Sequence, residues 1–277
     1  MTLDLRLTMS DTTITKTDTK ALHTLLTALA DDEFILGYRN SEWTGIAPML
    51  EEDVAFSSMS QDEIGHARLL YQMLSELTGV PADRIAYARQ PEEYLNCLLV
   101  EHRKLDWAHA IARYFLYDTA DHVRVEALTR SRYTPLANAM QKIVREEKYH
   151  LMHGDMWMKR LANLSSDSRE RLVVALDSLW PDALGIFEPL PSEEELVASG
   201  VLESSMSQLQ AEWLEQVAPY FESLDLPFPA TKDESTGRYV PTVEPVYGGR
   251  QGKHSPELAE LWDEMTSVYR LDPEAVW

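Results

Sequence analysis

Two short stretches, Glu63-Ile64-Gly65-His66 and Glu147-Lys148-Tyr149-His150, each put a glutamate and a histidine three residues apart. On a helix that spacing brings both side chains to one face, where they can reach one metal ion. Each pair has a carboxylate upstream at nearly the same distance: Glu33 lies 30 residues before Glu63, and Asp118 lies 29 before Glu147. One Glu-x-x-His is expected by chance in a chain with 46 acidic residues and 8 histidines. Two, each with a matched upstream carboxylate, make a pattern: the ligand set of a carboxylate-bridged di-iron or di-manganese four-helix bundle.

Hydrophobic periodicity around these residues is helical. A first helix is expected over about 18–40, with the inward stripe Leu22, Leu26, Leu29, Glu33, Leu36. A second is expected over 51–78, stopped by Gly79 and Pro81, with the stripe Phe56, Met59, Glu63, His66, Leu70. A third is expected over 91–130, with a possible break and the stripe Trp107, Ile111, Tyr114, Asp118, Asp121. A fourth runs from about Pro135 to Asn163 with Ile143, Glu147, His150, Gly154 and Trp157 inward. Glu33, Glu63, Asp118 and Glu147 therefore sit where the pattern calls for apolar residues. Buried ionised carboxylates are costly unless paired or bound to metal, and two divalent cations would relieve their mutual repulsion. The competing reading is a buried ion-pair network drawing on Arg68, Arg113 and Arg145.

A donor set rich in carboxylates, with one histidine per metal, suits iron, or manganese, better than zinc. The expected arrangement gives Glu33 and His66 to one ion, Asp118 and His150 to the other, with Glu63 and Glu147 bridging. Asp121 shares the seam with Asp118 and is the candidate for orienting a ligating histidine. Tyr38, Tyr114, Tyr117 and Tyr149 are the tyrosines close enough in sequence to be radical sites. His153, three residues after His150, could support a ligand but reads more readily as a surface histidine, and Glu146 points about 100° away from its neighbouring ligand.

The remaining sequence narrows the function. A formal charge of −21 over 277 residues argues against nucleic acid. The single cysteine, Cys97, rules out an intramolecular disulfide and an iron–sulfur cluster, and no dinucleotide-binding glycine motif opens a helix. Redox electrons would have to come from another protein. Residues 1–17 read as a disordered tail without a signal-peptide core, and no run of 18 apolar residues exists, so a cytoplasmic location is expected. Two more helices are expected at 166–182 and 204–222, then a proline- and glycine-rich stretch at 225–253 that is either an ordered strap or a partner-binding loop, and a last helix at 255–270 capped by Ser255. Residues 18–277 are expected to form one all-α, ferritin-like domain.

Four segments carry a family resemblance: Ser41-Glu42-Trp43-Thr44-Gly45-Ile46-Ala47-Pro48, Gly65-His66-Ala67-Arg68, Glu146-Glu147-Lys148-Tyr149-His150-Leu151, and Gly249-Arg250-Gln251-Gly252-Lys253-His254 followed by a helix and Trp277. From about residue 20 to 277 the chain resembles the phenylacetyl-CoA 1,2-epoxidase family, its C-type subunit most closely. The resemblance implies a ferritin-like fold. It implies an A-type subunit whose di-iron site epoxidises the aromatic ring of the acyl-CoA with O2. It also implies a C-type structural partner that has lost the ligands, and a flavin/iron–sulfur reductase. This chain departs from the C-type pattern by keeping Glu33, Glu63, His66 and Glu147. It is expected to be either a working, homo- or hetero-oligomeric oxygenase, or a metal-binding partner of an A-type subunit. A ferroxidase would use the same ligands. Arg39, Arg103 and Lys104 are the candidate contacts for CoA phosphates.

Overall fold

The computed structural model describes residues 16–275. It is an all-α, ferritin-like bundle with a two-stranded hairpin. Four long helices form its body: α1 (Lys16–Ser41), α2 (Leu50–Thr78), α4 (Trp107–Leu128) and α5 (Thr134–Leu164), with the short α3 (Ala82–Tyr87) between the pairs. α1 packs along α2 and α4 along α5, and α2 also touches α5. Each end has a local cause. Gly79 takes the left-handed conformation at φ 75° and donates its N–H to Ser75 O, closing α2. Asp106 accepts from His109 N at 2.9 Å and opens α4.

The third helix is shorter than its expected span of 91–130. Residues 91–93 and 98–101 are single 3-10 turns, and α4 begins only at Trp107. The cause is a better set of partners for the backbone. Leu95 N donates to Asp31 Oδ2 and Cys97 N to Asp32 Oδ1, both at 2.7 Å. Two buried carboxylates of α1 thus hold the crossover extended where a helix would have used those N–H groups internally. Residues 1–15 of the expected tail, and Trp277 at the other end, lie outside the described residues, and α1 already includes Lys16 and Thr17.

α6 (Ser166–Leu184) and α8 (Met206–Ser223) pack on α4, with the short α7 (Glu193–Ser199) between them in sequence. Trp180 and Trp213 fill the space between α6 and α8, their ring centroids 5.4 Å apart. The 225–253 stretch is an ordered strap. It carries the antiparallel strands β1 (Ala230–Lys232) and β2 (Tyr239–Pro241), then a 3-10 turn at Gly249–Gln251. A Cβ at Gly249 would collide with Asn96 O, so only glycine allows that approach. The expected last helix is two, α9 (Pro256–Met265) and α10 (Ser267–Leu271). Ser255 occupies the N-cap position of α9, but its hydroxyl makes no cap bond. Its backbone N–H instead donates to Glu101 Oε2. No helix among the described residues is long and apolar enough to cross a membrane.

α1 differs from the amphipathic helices around it because it is buried on nearly every side from Ala21 to Asn40. It nevertheless carries three consecutive acids, Asp31, Asp32 and Glu33, all buried. Successive side chains turn by about 100°, so the three point at different neighbours. Asp31 takes Arg89 and Tyr71, Asp32 takes Arg124 and Arg250, and Glu33 faces α2.

Candidate metal centre

Glu33, Glu63, His66 and Glu147 converge from α1, α2 and α5 with their donor atoms within 4.8 Å of one another. Asp118, Glu147 and His150 form a second such group on α4 and α5, sharing Glu147 with the first. Gly37, one turn after Glu33, makes the closeness of α1 and α2 possible. A Cβ there would lie 2.7 Å from Ile64 and 3.2 Å from the Glu63 side chain.

The two halves mirror each other. His66 Nδ1 lies 3.4 Å from Glu33, 3.5 Å from Glu63 Oε2 and 3.4 Å from Glu147 Oε1. His150 Nδ1 lies 3.3 Å from Glu63 Oε1 and 3.5 Å from Glu147 Oε1. Glu63 therefore presents one oxygen to each histidine, the geometry a bridging carboxylate needs. Asp121 stands apart from both groups. Its Oδ1 accepts from Arg124, and it orients no histidine.

The far nitrogen of each histidine is held by a residue that sequence reasoning missed. His66 Nε2 donates to Glu146 Oε2 at 3.1 Å, and His150 Nε2 faces Asp62 Oδ2 at 3.4 Å. Glu146 does turn away from Glu147, as expected, but the turn carries it across to the opposite helix. A proton held on Nε2 by a carboxylate leaves Nδ1 free as a lone-pair donor. The signal was present in sequence: each motif is preceded by an acid, Asp62 before Glu63 and Glu146 before Glu147.

The donor atoms fit cations. Among the described residues, Glu33 Oε2, both Glu63 oxygens, both Asp118 oxygens and Nδ1 of both histidines are buried without a hydrogen-bond partner. So many orphaned acceptors at one spot are unfavourable unless a positive charge stands among them. The protonation pattern shows the same need. Burial, with the Glu63 charge next, pushes Glu33 up to about 8. Burial and the Glu147 charge raise Asp118 well above the usual range. For His66, burial opposes protonation, but the Glu33 and Glu63 carboxylates outweigh it and push the ring up to about 11. His150 is raised in the same way: burial opposes, and the neighbouring carboxylates, Glu63 foremost, prevail. Without metal the histidines thus supply the positive charge, and a divalent ion would displace those protons.

Several other expectations resolve differently. Arg68 and Arg145 are exposed, and Arg113 bonds to Asn40 and the His102 carbonyl, so none of these three arginines neutralises the cluster. His153 is buried and lies 2.6 Å from Glu52, not at the surface. Arg39 is buried on Glu42 and two carbonyls, Arg103 pairs with Glu257, and Lys104 bonds the Glu42 carbonyl, so none of the three is free for a phosphate. Tyr117 donates to Glu33 Oε1 at 3.1 Å and Tyr114 to the Met59 sulfur. Tyr38 pairs with Tyr87, and Tyr149 is exposed.

Fold and site together define an all-α, ferritin-like protein with a buried carboxylate–histidine cluster that could hold metal. The chain belongs to the family described as Phenylacetic acid catabolic protein, whose model matches residues 5–277. It is 28% identical over 250 residues to the C-type subunit of 1,2-phenylacetyl-CoA epoxidase from Escherichia coli (strain K12), covering 90% of this chain and 96% of that one. It is 26% identical over 217 residues to the A-type subunit of that epoxidase from the same organism, covering 76% and 70%.

Proposed function

We propose that this chain is a di-iron oxygenase subunit that inserts an oxygen atom into the ring of an aromatic acyl-CoA during phenylacetate breakdown. The observation that carries the reading is the set of orphaned buried donors from Glu33, Glu63, His66, Asp118 and His150, which converge with Glu147. Two metal ions would be held there, Glu33 and His66 on one, Asp118 and His150 on the other, and Glu63 and Glu147 between them. Bound irons would supply the electrons and open positions for O2 reduction. Manganese would suit the same donors.

The chain's own residues do the rest. Glu146 and Asp62 fix the two imidazole rings through Nε2. The Tyr117 hydroxyl steadies one Glu33 oxygen and leaves the other free. Phe56, Tyr114 and Ile143 are buried close to the cluster in sequence or space and help exclude water. A cavity of about 300 Å³ lies beside α1 and α2, lined by Phe34, Ile64, Tyr71 and Tyr87 together with Arg68. Phe34 and Ile64 directly follow Glu33 and Glu63 in sequence. Arg68 makes no ion pair among the described residues, which leaves a guanidinium for an anionic group such as a CoA phosphate. The reductants would come from a separate flavin/iron–sulfur reductase, because this chain has no motif for either cofactor.

A second reading is favoured by the near-complete coverage of the C-type relative. In it the chain is the partner of a catalytic A-type subunit and binds metal without turning over. The test is aerobic incubation of the iron-loaded chain with phenylacetyl-CoA and a reductase, followed by mass spectrometry. The proposed function expects a product heavier by one oxygen atom from this chain alone. Product only when an A-type partner is added supports the second reading instead.

A further inference from the structure

The halves of the carboxylate–histidine cluster are not equally furnished. Glu33, Glu63, His66 and Glu147 give four donors within mutual reach, whereas Asp118, Glu147 and His150 give three. Glu63 does not decide between the halves, because it turns one oxygen to each histidine. The imidazoles differ in how closely they are backed. Glu146 lies 3.1 Å from His66 Nε2, and Asp62 lies 3.4 Å from His150 Nε2. A ligand already held in place by a neighbour needs less ordering when an ion arrives.

The carboxylates at the two ends, Glu33 and Asp118, differ more. Both Asp118 oxygens are buried without a hydrogen-bond partner. Tyr114, a turn earlier on α4, is near enough for its phenol to feel the Asp118 charge, but its hydroxyl is turned to the Met59 sulfur. Glu33 is anchored. Tyr117 donates to its Oε1 at 3.1 Å and leaves Oε2 as the orphan. The direction of that bond is fixed from behind. Arg124 Nη2 reaches the same phenol oxygen at 3.4 Å, and the guanidinium carbon lies 5.8 Å from the ring centroid. A guanidinium can only donate, so the phenol must aim its own proton at Glu33. Arg124 is in turn held by Asp32 and Asp121. The arginine-bound cluster around Asp32 thus reaches into the candidate metal centre and fixes one of its carboxylates.

We propose that Tyr117, backed by Arg124, is the positioning residue that makes the two metal subsites unequal. The Glu33–His66 half fills first and more tightly, and the Asp118–His150 half fills second. Tyr117 acts through Glu33, occupying one oxygen and presenting the other. Asp118 has no such anchor and must be ordered by the ion itself. The inference rests on the reading of this cluster as a metal centre.

Manganous ion is the probe, because electron paramagnetic resonance counts free and bound ion and separates isolated ions from coupled pairs. Titrated into the full metal-free chain, the first equivalent should bind as isolated ion, and the second should convert it to the coupled pair. Tyr117→Phe removes only a hydroxyl. It should weaken the first step about 10- to 100-fold, bringing it toward a second step that stays in place. Tyr114→Phe, the same change beside Asp118, should leave the first step where it is. Metal-free melts of both variants separate positioning from damage to the fold, which would weaken both steps alike. Coupled pairs from the first addition onward would overturn the proposal. So would a Tyr117→Phe chain that keeps the wild-type first step or weakens both steps equally. A wild-type chain that binds no manganese would instead overturn the metal reading itself, and this inference with it.

Discussion

Asp32 and Glu33 are neighbours on α1, equally buried, and lead into two charged clusters of opposite character. Asp32 is saturated. Arg250 reaches both of its oxygens at 2.8 and 2.7 Å, Arg124 adds 2.9 Å, and Cys97 N adds 2.7 Å. The guanidinium groups outweigh burial and hold its carboxyl below the ordinary range. Glu33 opens onto carboxylates and histidines with no arginine or lysine among them in the described residues, and burial with its neighbour's charge drives it up instead. One helix therefore supports two buried clusters, one closed by arginines and one balanced, without metal, by protons on its histidines. Orphaned donors, more than burial or charge, distinguish a binding centre from a structural network.

The largest effect expected from that contrast is on stability. Arg250→Met removes one of the two cations from Asp32 and should cost about 3–5 kcal/mol, because a buried charge loses the partner that bridges both its oxygens. In the metal-free protein Glu33→Gln should change stability by less than about 0.5 kcal/mol, or raise it, since it takes one acid out of a buried cluster of mutually repelling carboxylates. Urea unfolding of both variants without metal would break the comparison if they lost stability equally.

Metal should reverse the ranking at the open cluster. Ferrous or manganous ion at a hundred times its dissociation constant should stabilise the wild-type chain by about 2.7 kcal/mol and leave Glu63→Ala unmoved. Thermal melts with and without metal would show it. A smaller change is expected from Glu146→Gln, which loosens His66 without removing a ligand. It should weaken metal binding about 10- to 100-fold at unchanged metal-free stability, read by competition with a chelator.

The last effect concerns a histidine outside both clusters. Burial, then Arg113, pushes His109 down to about 4. Its unfolded value is about 6.5, so below that pH the unfolded chain takes up a proton that the folded one refuses. Stability from this group is whole above about pH 6.5 and is lost as pH falls toward about 4. His109→Gln should flatten the acid side of the stability profile, and an unchanged slope would remove His109 as its source.

Much of this is legible in the sequence. The stripes through Glu33, Glu63, His66, Asp118, Glu147 and His150 locate four helices, because an acid at an apolar position is a local signal. The third helix reads too long because its competitor is not local: the N–H groups of Leu95 and Cys97 are claimed by Asp31 and Asp32, more than sixty positions away. The partner of Glu146 and the burial of His153 escape the sequence for the same reason. Helical angle tells which way a side chain leaves its own helix, but what receives it depends on the neighbour. The pairing of Arg250 with Asp32 spans 218 positions and leaves no periodic trace at all.

Metal analysis joined to Mössbauer spectroscopy on protein loaded anaerobically with iron tests the central claim most directly. About two irons per chain, magnetically coupled after oxidation and lost together in Glu63→Ala, is the expected result. No tightly held iron, or iron that survives in Glu63→Ala, would contradict a dinuclear centre at this cluster.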